Sequence, residues 1–225
     1  MGISGRRLLQ VGLIVGMAVA ATASPLSVSA KSTHDVVRYE RKNLGTLPDG
    51  TRVDMETLVV AGQHSKELNG VKDWKAYSSE QSLQVTTTQA NAGYFDRPYW
   101  YTAGCRITGY NSLSENWHYQ VTHDYAYSYY IDTISHPYIA AEGGTYEAWS
   151  TYLGWNMLSH SIGPRYVMWT TTLGGKSYPY QEYLSGSYNV GHGVTTPWGS
   201  IIIESHAGNV KPIYGPEWQV QCQES

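Results

Sequence analysis

The chain has 225 residues, of which 15% are charged and 13% aromatic, with 20 Tyr and 8 Trp against a single Phe. A formal charge of −3 argues against a nucleic-acid partner, because neutralising phosphates requires a basic face. Low charge combined with abundant tyrosine suits half-buried strands and wet sheet surfaces.

In chain order, residues 1–30 read as an export signal. Arg6-Arg7 form a basic start, and Leu8 to Thr22 form an apolar run too short to span a bilayer comfortably. Val28-Ser29-Ala30 is a small-residue cleavage site, with Ala21-Thr22-Ala23 as a second. The expected location is therefore extracellular. Residues 31–93 form a less regular N-terminal segment. It concentrates basic side chains, contains the turn signal Pro48-Asp49-Gly50-Thr51, and ends in a polar stretch, Ser78 to Gly93, that reads as a linker or loosely held strand. It is expected to be an added hairpin, a pro-segment or a tether, with the folded domain at 94–225.

From Trp117 the pattern has period two. Trp117, Tyr119, Val121, His123, Tyr125, Tyr127, Tyr129 and Ile131 share one face. His118, Gln120, Thr122, Asp124, Ala126, Ser128, Tyr130 and Asp132 share the other. The run is long for one strand, so a bend or bulge near His123-Asp124 is expected. Further strands are expected at 100–110, 145–153, 155–161, 166–173, 181–190, 200–206 and 218–223. The expected breaks are Gly143-Gly144, Gly163-Pro164, Gly174-Gly175, Gly191-His192-Gly193, Pro197-Trp198-Gly199 and Ala207-Gly208-Asn209. No amphipathic helix is expected beyond the export signal. The spacing predicts an all-β, antiparallel β-sandwich, with a β-barrel as the alternative. Outside the cell the two cysteines, Cys105 and Cys222, are expected to form a disulfide tying the first strand of the domain to the last.

The run Gly104-Cys105-Arg106-Ile107-Thr108-Gly109-Tyr110, the Trp117-x-Tyr119 strand start, Gly154-Trp155 and Ser200-Ile201-Ile202-Ile203 ending at Gly208-Asn209 resemble C-terminal domains of uncharacterised secreted proteins from Gram-positive-type bacteria. The resemblance covers about 104–212. It implies an extracellular all-β domain, and no activity or catalytic residue comes with it.

Chemistry is sparse. Gly175-Lys176-Ser177 ends like a phosphate loop, but the motif's first glycine would fall at Thr170. There is no G-x-S-x-G, S-x-x-K or H-E-x-x-H, and no cofactor is expected. His123, Asp132, Glu204 and His206 are candidates for an acid/base or metal cluster. Asp124, Asp132, Glu142, Glu147, Glu182 and Glu204 are the carboxylates from which a glycosidase pair would be drawn. The aromatic residues Tyr125, Tyr127, Tyr129, Trp155 and Trp198 are candidates for stacking on a ligand such as a sugar. The leading expectation is a non-catalytic extracellular binding module for glycan or a cell surface. A secreted hydrolase is one alternative. A pore-forming or membrane-active protein, inserting the Trp117–Ile131 stretch, is the other.

Overall fold

The computed structural model describes residues 38–84, 99–112, 114–130, 133–215 and 220–225. Residues 1–30, expected to be an export signal, residues 85–93 of the polar stretch, and Asp132 lie outside them. Strands β1 (Arg38–Thr46), β2 (Arg52–Ala61), β3 (Tyr99–Asn111), β4 (Ser114–Tyr130) and β5 (Thr133–Thr151) form an antiparallel meander in sequence order. The second sheet contains β6 (Trp155–Ile162), β7 (Tyr166–Leu173), β8 (Lys176–Tyr183), β9 (Gly186–Thr196) and β10 (Gly199–Tyr214). Its order is β6-β9-β10-β8-β7, with β11 (Gln221–Glu224) on β10. The two sheets pack as a sandwich and do not close into a barrel.

The alternation in β4 explains the interior. Trp117, Tyr119, Val121, Tyr125 and Tyr127 are buried against Trp155, Tyr188, Val190, Val210 and Tyr214 of the second sheet. Tyrosine and tryptophan thus do the work usually done by Phe and Leu, with ring contacts such as Tyr119–Tyr188 at 5.3 Å and Tyr125–Tyr214 at 5.0 Å. The expected irregularity in β4 is present as a register shift against β5 between His123 and Tyr125. Cys105 and Cys222 form the expected disulfide, which fastens β11 to β3.

The other face of β4 was expected to meet water, and it does not. Gln120, Thr122 and Asp124 are buried beneath residues 62–73, which contain helix α1 (Ser65–Leu68), while helix α2 (Trp74–Gln84) lies over β1 and β2. Asp124 accepts from the Ser65 amide (3.0 Å), the Ser65 hydroxyl (2.5 Å) and the Thr102 hydroxyl (2.6 Å). Arg106 donates to the carbonyls of Lys72 (2.7 Å) and Val71 (2.5 Å) and to Gln120 Oε1 (2.9 Å), while stacking 4.4 Å over Trp74. These side chains replace water for a polar sheet face, so burial leaves few groups unpaired.

Helix α2 corrects the expectation of no helix. Asp73 caps it by accepting from the Ala76 amide at 2.9 Å, and Trp74 and Tyr77, three apart, bury one short face against Leu58, Val60 and Leu68. The rest of α2 is mostly Ser, Glu and Gln, with Lys75, Ala76 and Leu83, so no continuous apolar stripe announces it. The N-terminal segment contributes β1 and β2 to the first sheet, where β2 pairs with β3 from Arg52↔Tyr110 to Ala61↔Tyr101.

Three expected breaks prove to be strand interiors. Gly143-Gly144 lies in β5, Gly191–Gly193 in β9 and Gly208 in β10. Their glycines make room for neighbours: a Cβ on Gly191 would meet Leu158 at 2.8 Å and Ile202 at 3.0 Å, and one on Gly208 would meet the Tyr188 hydroxyl at 2.8 Å. Conversely, the single strand expected at 181–190 is interrupted at Leu184-Ser185, where β8 gives way to β9.

Candidate functional site

The residues singled out by type scatter. Tyr125, Tyr127 and Trp155 are buried between the sheets and offer no face to a sugar. The side chain of Tyr129 lies outside the described residues. Trp198, at 96% exposure, is the one described member of that set that meets solvent. His123 and His206 do not converge either. His206 lies against Trp117 (5.6 Å between ring centres) and His123 against Tyr214 (4.7 Å), so they mark points on β4 roughly 20 Å apart by strand geometry. Glu204 is paired in register with His192, two residues along β10 from His206. Among the described residues, no group of three or more His, Cys, Asp or Glu side chains is placed to hold a metal ion.

The structure does bring together two carboxylates from the glycosidase candidates. The Tyr214 hydroxyl lies 2.9 Å from Glu142 and 3.1 Å from Glu182, and Arg165 forms ion pairs with both. His123 closes the cluster, its Nε2 3.6 Å from Glu142 and its Nδ1 2.6 Å from the Thr145 hydroxyl. Burial raises the Glu182 carboxyl, and the nearby Arg165 and Tyr214 only partly oppose this. Burial also raises the Tyr214 phenol. Chemically this is a clamp joining β4 and β5 to β8 and β10. The carboxylates are already matched by a guanidinium and a hydroxyl, and Glu182 is only 1% exposed.

The clamp carries a pH signature. Burial pushes the His123 imidazole from 6.5 down to about 4. Above pH 6.5 it is neutral whether the chain is folded or not. Below that the unfolded chain gains a proton that the folded one refuses, so stability falls with pH and the loss saturates below about pH 4. The full loss is about 3 kcal/mol. Glu182 acts with the opposite sign, favouring the folded state as it protonates. The His123→Asn variant therefore isolates the histidine: denaturant titrations from pH 7 to 4 should give it a flatter stability profile than the parent. Parallel profiles would contradict the assignment.

A shallow groove beside Cys222, lined by Arg38, Glu40, Lys42, Met55, Thr57 and Gln221, is a second concavity. Its Arg38 is already paired with Glu40 at 2.6 Å.

The most distinctive surface is the β9–β10 hairpin. Register pairs run from Gly186↔Val210 to Thr196↔Gly199, but β6 accompanies β9 only as far as Trp155↔His192. Beyond that the ribbon has one further tie, the Gly193 amide to the Gly154 carbonyl at 3.2 Å, and then projects. The tip turn is closed by the Thr196 hydroxyl donating to the Gly199 carbonyl at 2.7 Å. From Gly193 to Ile203 no side chain carries charge. Val194, Trp198, Ile201 and Ile203 are exposed, and Ile202 is partly so where it leans over Gly191 beside Leu158. Val194 and Ile201 are register partners on one face, while Ile202 pairs with Gly193 on the other. At the hairpin base, Tyr152 and Leu153 of the β5–β6 turn are also exposed. A second exposed run, Tyr166 to Trp169 on edge strand β7, belongs to the β7–β8 hairpin, which leaves from the opposite end of β10.

Of the residues singled out by type, Trp198 alone lies on this surface. The sequence signal was available: an uncharged run through Pro197-Trp198-Gly199 into three consecutive isoleucines, more apolar than a half-buried strand needs. No family model, no curated protein and no solved structure matches the chain.

Proposed function

We infer that this is an exported protein that works as a binding module at a cell surface, with the free end of the β9–β10 hairpin as its contact. The observation that carries the reading is the charge-free tip, where Val194, Trp198, Ile201 and Ile203 are exposed and no other part of the fold covers them among the described residues. A contiguous exposed apolar patch costs solubility and is retained where it meets a partner. The disulfide is compatible with a location outside the reducing cytoplasm. No helix among the described residues is long and apolar enough to cross a membrane. The reading favours binding over hydrolysis because Glu142 and Glu182 are committed to Arg165 and Tyr214. It moves any membrane-active role away from the Trp117–Ile131 stretch, since β4 is paired on both edges and its core face is buried between the sheets.

Capture of the protein on intact cells, compared with a Trp198→Ser/Ile203→Ser variant, tests this. Both side chains are exposed, so stability should change little. Capture should fall at least about tenfold, as expected from losing burial of one or two large apolar side chains. Equal capture of the two proteins would remove the hairpin from the contact.

A further inference from the structure

Resting on that reading, we propose that the partner of the hairpin is the lipid bilayer itself, at the headgroup–acyl boundary of an electrically neutral membrane surface. Three features favour lipid over a protein groove or a glycan. First, the ribbon exposes apolar side chains on both faces and at its tip: Val194 and Ile201 on one side, Ile202 on the other, Trp198 at the end. A groove covers one face of a ribbon, whereas a fluid apolar medium covers all of it. Second, the charge profile matches that of a bilayer. From Gly193 to Ile203 there is no charge. Immediately below come His192 and Glu204, paired in register, so that polar side chains stand at the level where headgroups would lie. No Lys or Arg accompanies them on β9 or on β10 up to Gly208, so attraction to anionic lipid plays little part. Third, Tyr152 and Leu153 flank the base at the level of Gly193, which gives the contact a second foot with a tyrosine suited to the interface.

Geometry limits the depth. Trp198 stands roughly 20 Å from the His192–Glu204 pair by strand rise. That is short of a bilayer's hydrocarbon thickness of about 30 Å. Among the described residues, the outer edge of β10 from Ser200 to Gly208 has no strand partner, and neither does the outer edge of β9 at Val194–Thr196. Unpaired peptide groups are excluded from hydrocarbon. The ribbon therefore lies inclined in the interface, its tip about 5–10 Å below the headgroups, and does not perforate the membrane.

The test is flotation of the full exported chain with phosphatidylcholine vesicles, with and without phosphatidylglycerol, at low and high salt, alongside dye release from the same vesicles. Expected are co-flotation with pure phosphatidylcholine, unchanged by salt, at least about a tenfold drop for Trp198→Ser/Ile203→Ser, and no dye release. Trp198→Phe should retain most of the binding and lose the blue shift in tryptophan emission that accompanies it. Hairpin-dependent capture on cells without flotation would overturn the lipid proposal and leave the binding reading standing, with a protein or glycan as partner. Flotation only with phosphatidylglycerol and abolished by salt, or vesicle leakage, would also overturn it. Loss of hairpin dependence on both cells and vesicles would sink both.

Discussion

Replacing Cys105 and Cys222 together by alanine is expected to lower the unfolding free energy by about 3–5 kcal/mol. The bridge joins residues 117 apart in sequence, so reduction releases a long closed loop in the unfolded chain. It also acts locally. β11 has four residues and pairs with β10 only from Val210↔Glu224 to Ile213↔Gln221, too little to hold a terminal strand alone. Cys105 is fully buried, between Thr57 and Val121 in the first sheet. Chemical denaturation of the double variant, with the parent under oxidising and reducing conditions, measures the effect. Reduced parent and variant should agree, and amide exchange at 221–224 should accelerate in both. A loss below about 1 kcal/mol would mean that β11 is held by packing alone.

The second large effect is expected at Asp124. Substituting alanine strips the acceptor from the Ser65 amide, the Ser65 hydroxyl and the Thr102 hydroxyl in a site that is 5% exposed. A buried donor left without a partner costs about 1–3 kcal/mol, so the two Ser65 donors together should remove about 2–5 kcal/mol before local relaxation, while the Thr102 hydroxyl keeps the Gly62 carbonyl at 2.9 Å. The loss should be concentrated. Residues 62–73 are fastened through Asp124, Thr122, Gln120 and Arg106, so their amides should lose protection first while those of β9 and β10 keep theirs. Asp124→Asn, which keeps acceptor capacity, should cost less than Asp124→Ala. Equal costs for the two, or loosening spread evenly over the molecule, would show that the carboxylate does not pin this layer.

The alternation of β4 was readable because side chains on successive residues must point to opposite faces, and the register shift at His123 followed from its length. The disulfide followed from two cysteines in a chain whose sequence reads as exported. What covered the polar face of β4 was not readable. Gln120, Thr122 and Asp124 look like solvent-facing residues until a segment from elsewhere supplies the carbonyls of Leu68 and Ser65 and the amide of Ser65. Helix α2 was hidden for a related reason: two aromatic anchors and an aspartate cap hold it, with no repeating stripe. Glycines misled wherever they accommodate a ring or an isoleucine rather than a turn, as at Gly191 and Gly208. For the site, aromatic residues on the strongest strand pattern were the wrong ones to choose, because the same alternation that makes a strand legible puts those rings in the core. The exposed apolar side chains lie where the pattern breaks down, in Ile201-Ile202-Ile203.

The central claim is that the molecule meets its target with the free end of β9 and β10. Hydrogen–deuterium exchange of the protein bound to cells, against the free protein, tests it most directly. Slowed exchange confined to residues 193–203 and the adjoining 152–154 turn is the predicted result. Protection that leaves this hairpin unchanged and appears instead around Glu142, Arg165 and Glu182, or along the groove beside Cys222, would contradict it.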